Sequence, residues 1–390
     1  MSNSLLDPER VVDQARETTG LDDLGEDTWQ EGLERLADSL VSEAALSELG
    51  EQIAAGELTM YLANRLCVTE YRKQHPEIAD VDVTPPIVIV GQGRTGTTIL
   101  HDLLAQDPAT RVPLTWEVDR PCPPPETATY DTDPRIDEVD EITSGVELLI
   151  PGFLSMHPMG ARLPQECVRI TVSDFRSVMF PTQYRVPSYG HWVLNEADMA
   201  PAYRWHRQFL QHLQSRHPAS RWVLKSPAHI WCLPALLAEY PDALLVQTHR
   251  DPLRIIASLS SLVATLRRIS SDDASIPVVA SEFADYILDG LDRSVTARQD
   301  GTVDPERVVD LHFGAFMDDP FATIRRVYDR LGLELDEESE TRMRAFLARN
   351  PPDRHGTHRY SFADTGLDAG ELRERARRYQ EYFDVPSEPV

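Results

Sequence analysis

The chain has 390 residues, 41% of them hydrophobic, and a formal net charge of −26. This acidity argues against nucleic acid as a partner, because a phosphate backbone needs a basic protein face. Its four cysteines are widely spaced, which argues against a zinc site and a disulfide framework. No apolar run reaches membrane-spanning length, and the amino terminus shows no basic, apolar leader for export. We therefore expect a cytoplasmic protein without a metal.

Residues 1–80 form an acidic segment with helical periodicity. Apolar side chains recur at helical spacing over 29–40 and 46–53. Asp7 followed by Pro8 is typical of a helix start, with a capping residue and a proline in the first turn. The segment carries no chemical motif, so we expect a helical element that packs on the rest of the chain and offers a surface for a homo-oligomer.

Four short apolar runs predict strands in the remaining chain, residues 81–390. They are 87–90, 222–224, 243–246 and 308–311, and helix-like stretches follow them. Such alternation is typical of buried parallel strands joined by helices. The sequence therefore predicts a three-layer α/β domain of the P-loop type around a central parallel sheet, preceded by the helical segment.

Residues 118–220 interrupt this alternation with an irregular pattern. Pro121–Pro125 cannot be helical, and long insertions of this kind usually build the substrate side of a pocket. Its aromatic residues suit a lipophilic alcohol, a phenol or a sugar as ligand, although the same residues also suit an ordinary core; they are Phe153, Phe175, Phe180, Tyr184, Tyr189, Trp192 and Tyr203.

A glycine loop follows the first strand, with Gly91 and Gly96 at P-loop spacing. Backbone N–H groups and the next helix N-terminus bind phosphate oxygens in such a loop. The usual lysine position holds Thr97, Thr98 occupies the magnesium-ligand position, and Arg94 is the loop's cation. Loss of the lysine disfavours ATP chemistry and favours a nucleotide that needs no metal.

Residues 86–98 resemble the 5′-phosphosulfate loop of sulfotransferases that use 3′-phosphoadenylyl sulfate (PAPS), in particular their bacterial branch. Thr95 departs mildly from the serine that is common there and keeps the hydroxyl. The resemblance implies a donor-binding set made of Gly93, Arg94, Thr95, Gly96, Thr97 and Thr98.

Residues 247–258 resemble the 3′-phosphate element of the same family. An arginine ends a strand at Arg250, and Ser258 follows on the next helix. A guanidinium is a charged fork for phosphate oxygens, and the hydroxyl adds a donor. The similarity extends through 222–229 and 358–361, which implies that the family covers about residues 85–385.

Sulfuryl transfer to a hydroxyl needs a base and cations that stabilise the leaving phosphate. Arg94 is the first candidate cation. Lys225, at the end of a predicted strand, is the second, and the whole chain holds only two lysines.

Glu117 is the first candidate for the base, because a second strand is expected to end there and Trp116 would raise the carboxyl pKa. Related carbohydrate and protein-tyrosine enzymes have a glutamate at the comparable point, whereas the cytosolic branch uses histidine. Glu166 and His157, in the irregular segment, are the rivals.

Two other functions remain open at the level of sequence. A P-loop kinase or nucleotide hydrolase requires ATP and magnesium, and Thr97 argues against it. A degenerate P-loop scaffold would act without catalysis, through the acidic N-terminal helices.

Overall fold

A four-stranded parallel sheet lies at the centre of the part of the chain that the computed structural model describes, residues 4–150, 153–351 and 360–390. The strand order is β2–β1–β3–β4. The strands are β1 (Ile87–Val90), β2 (Val223–Lys225), β3 (Leu244–His249) and β4 (Val308–His312). All four predicted strands and the α/β class are confirmed.

The register brings the carboxyl ends of three strands to one edge. Ile89 of β1 lies opposite Lys225, the last residue of β2, and Val90 lies opposite Gln247 of β3. Ligands of open parallel sheets bind outside this edge. The sheet thus positions the loops that follow β1, β2 and β3 around one site.

Helices cover both faces of the sheet, as a three-layer arrangement requires. Ile87 and Ile89 point to one face and pack with apolar residues of α4 (Thr97–Leu104) and α15 (Pro320–Arg330). Val88 and Val90 point to the other face, which is covered by α10 (Ala200–Gln214) and α11 (Leu233–Glu239). From β1 to β2 the helices are α4 (Thr97–Leu104), α5 (Thr115–Asp119), α6 (Pro134–Leu149), α7 (Val168–Thr171), α8 (Met179–Gln183), α9 (Pro187–Asn195) and α10 (Ala200–Gln214). After β2 they are α11 (Leu233–Glu239), α12 (Pro252–Arg267), α13 (Ile276–Gln299), α14 (Phe313–Asp318), α15 (Pro320–Arg330), α16 (Glu337–Arg349) and α17 (Ala369–Tyr382).

The N-terminal segment is helical, as predicted, with α1 (Pro8–Thr19), α2 (Trp29–Ser42) and α3 (Glu48–Gln74). Its apolar faces share one core with residues of the 118–220 segment. Buried Arg65 of α3 also pairs with Asp174 at 3.2 Å. A boundary at residue 80 therefore stays a prediction, since the helices on its two sides bury each other. None of the described helices is both long and apolar enough to cross a lipid bilayer.

The 118–220 segment is mostly helical, so the expected irregular structure is wrong, whereas its place on the substrate side stays a prediction. Pro134, Pro187 and Pro201 lie in the first turns of α6, α9 and α10, where a missing N–H costs nothing. In the sequence these three prolines suggested breaks in helical structure, whereas in the structure they mark the first turns of helices. Only the prediction for Pro121–Pro125 holds, because α5 ends before it.

The aromatic residues of this segment make core rather than a pocket. Five of the seven that we expected to line an acceptor site pack in the core shared with α1–α3, namely Phe175, Phe180, Tyr184, Tyr189 and Trp192. Tyr203 belongs to α10 and packs beneath the sheet, where its hydroxyl lies 2.8 Å from Nδ1 of His229. Phe153 alone lies beside a predicted site residue, with its ring 6.3 Å from that of His157.

Candidate active site at the carboxyl edge of the sheet

The glycine loop leaves β1 and bends sharply over β3. Gly91 has φ 135°, and a Cβ there would lie 2.3 Å from the Thr248 hydroxyl, so no side chain fits. The Thr95 hydroxyl lies 2.6 Å from that of Thr248, which ties the loop to β3. Gly96, with φ 88°, then turns the chain into α4. The close approach to β3 at Gly91 and the left-handed φ at Gly96 are the local reasons for glycine at these positions.

The N-terminus of α4 opens onto the sheet edge. Thr97 and Thr98 begin the helix, and the first N–H groups of a helix have no intrahelical partner. Together with the positive end of the helix dipole they attract an anion. Gly93, before them, has only ordinary van der Waals neighbours at 3.8 Å or more from a built Cβ, so space does not demand glycine there.

Arg94 connects the loop to two other elements. Its Nε donates to the Ser258 hydroxyl of α12 at 3.0 Å, and its Nη1 donates to the Met156 carbonyl at 2.9 Å. Its own carbonyl accepts from Arg250 Nη1 at 2.9 Å. Burial lowers the Arg94 pKa, but an arginine this basic stays charged. The residues of the two predicted phosphate elements therefore form one hydrogen-bonded unit.

Arg250 stands where β3 turns into α12. Its guanidinium carbon lies 4.0 Å above the centre of the Phe313 ring, a contact that fixes the plane of the fork. Its remaining edge faces the carboxylate of Glu388 near the carboxyl terminus, a residue that sequence reasoning missed. No local pattern links two residues so distant along the chain.

Lys225 ends β2 with its side chain only 2% exposed and forms an ion pair with Glu166, whose side chain is 21% exposed. The Lys225 carbonyl also accepts from the N–H of Cys167 at 2.9 Å, which holds the 166–167 backbone against the strand end. A buried ammonium needs such a counter-charge. The predicted second cation and one of the rival bases thus meet directly.

His157 lies close enough to Glu166, Lys225 and Arg94 for their charges to act on its pKa. Burial is the largest influence and lowers that pKa to about 4, so the ring is neutral at pH 7. The structure therefore brings together four of the five predicted catalytic residues.

Asp102 of α4 was not predicted. Burial raises its pKa to about 6, against the opposing effect of Lys225. It follows Thr98 by four residues, which places both on one face of the helix. That spacing was the only sequence signal, and it is common in surface helices.

Glu117 lies elsewhere, and the strand expected to end there is wrong, because residues 115–119 form α5. Its carboxylate is fully buried, pairs with Arg111 through one oxygen, and accepts from the Leu114 N–H at 2.9 Å through the other. Arg111 bridges to Trp222, the residue before β2, whereas Lys225 is the last residue of β2. The helix forms because the Glu117 side chain caps its own N-terminus.

Comparisons with known proteins agree on one family. A sequence model of the sulfotransferase family matches residues 85–337. The omega-hydroxy-beta-dihydromenaquinone-9 sulfotransferase Stf3 of Mycobacterium bovis is 30% identical over 284 residues, which are 68% of this chain and 67% of that protein.

Two solved structures resemble the whole chain. Sulfotransferase STF9 from Mycobacterium avium is 30% identical, with a TM-score of 0.91 over 100% of both chains. Sulfotransferase STF1 from Mycobacterium tuberculosis H37Rv is 33% identical, with a TM-score of 0.84 over 94% of this chain and 97% of that one. The likeness therefore includes the N-terminal helices as well as the sheet.

Proposed function

This chain belongs to the sulfotransferase family and transfers sulfuryl groups, and we propose that it takes the group from PAPS and gives it to the hydroxyl of a lipophilic alcohol. The donor is a nucleotide with an anion at each end, a 5′-phosphosulfate and a 3′-phosphate. A site for it needs two anion-binding positions at a fixed distance from each other.

The observation that carries the donor assignment is the link between Arg250, Arg94 and Ser258. Arg250 donates to the Arg94 carbonyl at 2.9 Å, and Arg94 donates to the Ser258 hydroxyl at 3.0 Å. The cation for the 3′-phosphate and the cation for the 5′-phosphosulfate therefore support each other. A triphosphate without a 3′-phosphate would leave Arg250 and Ser258 without a ligand, and Thr97 would not supply the P-loop lysine.

We assign the 5′-phosphosulfate to the N-terminus of α4. The first N–H groups of the helix, at Thr97 and Thr98, would face this anion. Arg94 and Lys225, which are both close enough to act on the pKa of His157, would be the neighbouring cations. Both cations would stabilise the negative charge that grows on the phosphate oxygen as the sulfur leaves it. The chain's own residues can supply this stabilisation through preorganised donors.

We assign the base to Glu166 rather than to Glu117. Lys225 binds Oε1 of Glu166, and Oε2 has no hydrogen-bond partner among the described residues. Oε2 would accept the proton of the acceptor hydroxyl while the new oxygen–sulfur bond forms and the sulfur–phosphate oxygen bond breaks. The products are the sulfate ester and 3′,5′-adenosine bisphosphate (PAP), with the proton on Glu166.

His157 is the second candidate for this role. Its pKa of about 4 leaves the ring neutral, and a neutral imidazole accepts a proton. The same low pKa makes it no stronger a base than a carboxylate, and it has no direct contact with Lys225 among the hydrogen bonds of the described residues. We therefore place it as a neighbour that orients the acceptor.

Two observations support a lipophilic alcohol as the acceptor, namely the substrate of a relative and the side chains around His157. The Mycobacterium bovis relative is named for a hydroxylated dihydromenaquinone, a lipid alcohol. In this chain the segment that carries His157 also brings buried Phe153 beside it. An apolar ring next to the residue that orients the acceptor suits a hydroxyl on a lipophilic chain better than a sugar.

The test is binding followed by turnover. Calorimetric titration should be carried out with PAP, with adenosine 5′-phosphosulfate and with ATP–magnesium. PAP should bind most tightly of the three, because only PAP fills both anion positions. Labelled PAPS with pooled lipid alcohols, phenols and sugars should then label the lipid alcohols. Binding of ATP–magnesium without binding of PAP would sink the donor assignment, and labelling of sugars alone would sink the acceptor assignment.

A further inference from the structure

The last residues of the chain return to the donor site. After α17, residues 386–390, which we name the tail, run to the first turn of α12. Glu388 of the tail pairs with Arg250 through both carboxylate oxygens, Oε1 to Nε at 3.0 Å and Oε2 to Nη2 at 3.1 Å. This is the two-pronged geometry in which arginine also binds phosphate.

The pair is built into its surroundings. The Arg250 side chain is 11% exposed and that of Glu388 is 31% exposed. Arg254, one turn further along α12, adds a second cation at 3.6 Å from Glu388 Oε2 and donates to the Pro389 carbonyl at 3.3 Å. The two cations of this turn therefore converge on one carboxylate.

Asp251 holds the tail backbone in this position. Its buried carboxylate accepts from the Glu388 N–H at 2.6 Å and from both terminal nitrogens of Arg373 at 2.5 and 2.7 Å. Arg373 in turn donates to the Glu388 carbonyl at 3.2 Å. Because Asp251 is the neighbour of Arg250 in sequence, the tail is anchored directly beside the fork that it occupies.

We propose that Glu388 is an internal competitor for the anion site at Arg250, so that the tail sets the affinity of the protein for nucleotides that carry a 3′-phosphate. The inference rests on the proposed function, which assigns that phosphate to Arg250. One guanidinium edge, Nε and Nη2, cannot bind the carboxylate and the phosphate at once. The phosphate carries more charge than a carboxylate, and its arrival releases Glu388.

The expected change in nucleotide affinity follows from the fraction of molecules in which Glu388 occupies the Arg250 site. A competitor that holds the site in about 70–90% of molecules weakens the apparent affinity about three- to tenfold. An ion pair of this exposure reaches such populations because the tail is tethered and its effective concentration is high. The effect is confined to nucleotides with a 3′-phosphate. The glycine loop, which would hold the 5′-phosphosulfate, has its Arg94 contacts with Ser258 and Arg250 and none with the tail among the described residues.

The test compares two substitutions that remove the same charge. Glu388→Gln should tighten PAP binding about three- to tenfold in calorimetry and leave adenosine 5′-phosphosulfate, which lacks the 3′-phosphate, unchanged. Glu381→Gln, at an exposed position of α17, is the matched control and should change neither affinity. Deletion of residues 386–390 should reproduce Glu388→Gln, with buried Val385 kept at the end.

The results distinguish failure of the tail proposal from failure of the donor assignment. Equal or weaker PAP binding by Glu388→Gln overturns the competitor role and leaves the donor assignment standing. Equal tightening in Glu381→Gln also overturns it, because the cause is then the overall negative charge. Absence of PAP binding in the wild type and in all variants overturns the donor assignment and the tail proposal together.

Discussion

Two glutamate–cation pairs flank β2, and they differ in the access that each gives to a ligand. Glu117 pairs with Arg111 next to the residue that precedes the strand, is fully buried, and has both oxygens occupied. Glu166 pairs with Lys225 at the end of the strand, and its side chain is 21% exposed. A base must reach a substrate, so the end of the strand at which a pair lies decides its role.

The surroundings of the two pairs sharpen this difference. The guanidinium of Arg111 lies 4.6 Å from the Trp222 ring centre and 5.6 Å from that of Tyr130, so aromatic rings enclose the pair. The Lys225 pair instead adjoins His157 and Asp102, both with shifted pKa values. Burial also lowers the pKa of His217 beside Arg111, so the exposure of Glu166 and its place at the carboxyl end of the strand, and not the pKa shifts, distinguish the two pairs.

Glu166→Gln should produce the largest effect. If Glu166 is the base, as proposed, its removal is expected to lower kcat about 10²- to 10⁴-fold, while the amide oxygen still accepts from Lys225 and preserves the fold. Steady-state kinetics with PAPS, together with calorimetry of PAP, would check it. Glu138→Gln, at an exposed glutamate of α6, is the control with unchanged turnover. Turnover near the wild-type level in Glu166→Gln would remove it as the base.

Glu117→Gln should act on stability rather than on turnover. It leaves Arg111 buried without a counter-charge, which is expected to lower the free energy of unfolding by about 3–5 kcal/mol. Urea unfolding measures this loss, and kcat per folded molecule should stay unchanged. The double variant Arg111→Met with Glu117→Leu should regain much of the stability, because it removes both charges. A large loss of kcat in folded Glu117→Gln would instead restore Glu117 as a catalytic candidate.

Acid should weaken both regions, since each has a histidine whose pKa burial lowers to about 4, His157 beside Lys225 and His217 beside Arg111. Such a ring stays neutral in the folded chain, whereas the unfolded chain takes up a proton below its ordinary pKa of about 6.5. The stability is therefore full above pH 6.5 and falls as the pH decreases towards 4. The loss at pH 5 is at most about 2 kcal/mol for each ring, and less for any part that solvent screens.

Melting temperatures of the wild type, His157→Gln and His217→Gln between pH 7.5 and 5 would check this. Each substitution should reduce the downward slope. A slope that is unchanged in both variants would show that other groups control the acid response.

Ser258→Ala should give the smallest effect, and this effect should be on nucleotide binding. It removes the hydroxyl that supports Arg94, which is expected to weaken PAP binding about two- to tenfold. Ser260→Ala is the control on the same helix, because its buried hydroxyl has no partner in the described part of the chain. Equal effects of the two substitutions on the PAP dissociation constant would contradict a specific role for Ser258.

Much of the donor side could be predicted from the sequence. The glycine loop, its missing lysine and the Arg250–Ser258 spacing are local patterns, and the parallel strands bring them together by rule. The sequence offered Glu166, His157 and Lys225 only as separate candidates. That they meet could not be predicted, because contacts between segments distant in sequence bring them together, such as the hydrogen bond from the Cys167 N–H to the Lys225 carbonyl. His358 and Arg359, which the resemblance included, lie outside the described residues.

By itself the sequence determined the α/β class, the four strands and the glycine loop between β1 and α4, since these depend on short-range periodicity and glycine conformation. Only the tertiary structure decided which glutamate stands at the strand end, which aromatic residues become core, and that Glu388 reaches Arg250. The physical reason is that the use of a charge depends on what surrounds it. Burial and counter-charges come from packing between distant segments, which no local pattern records.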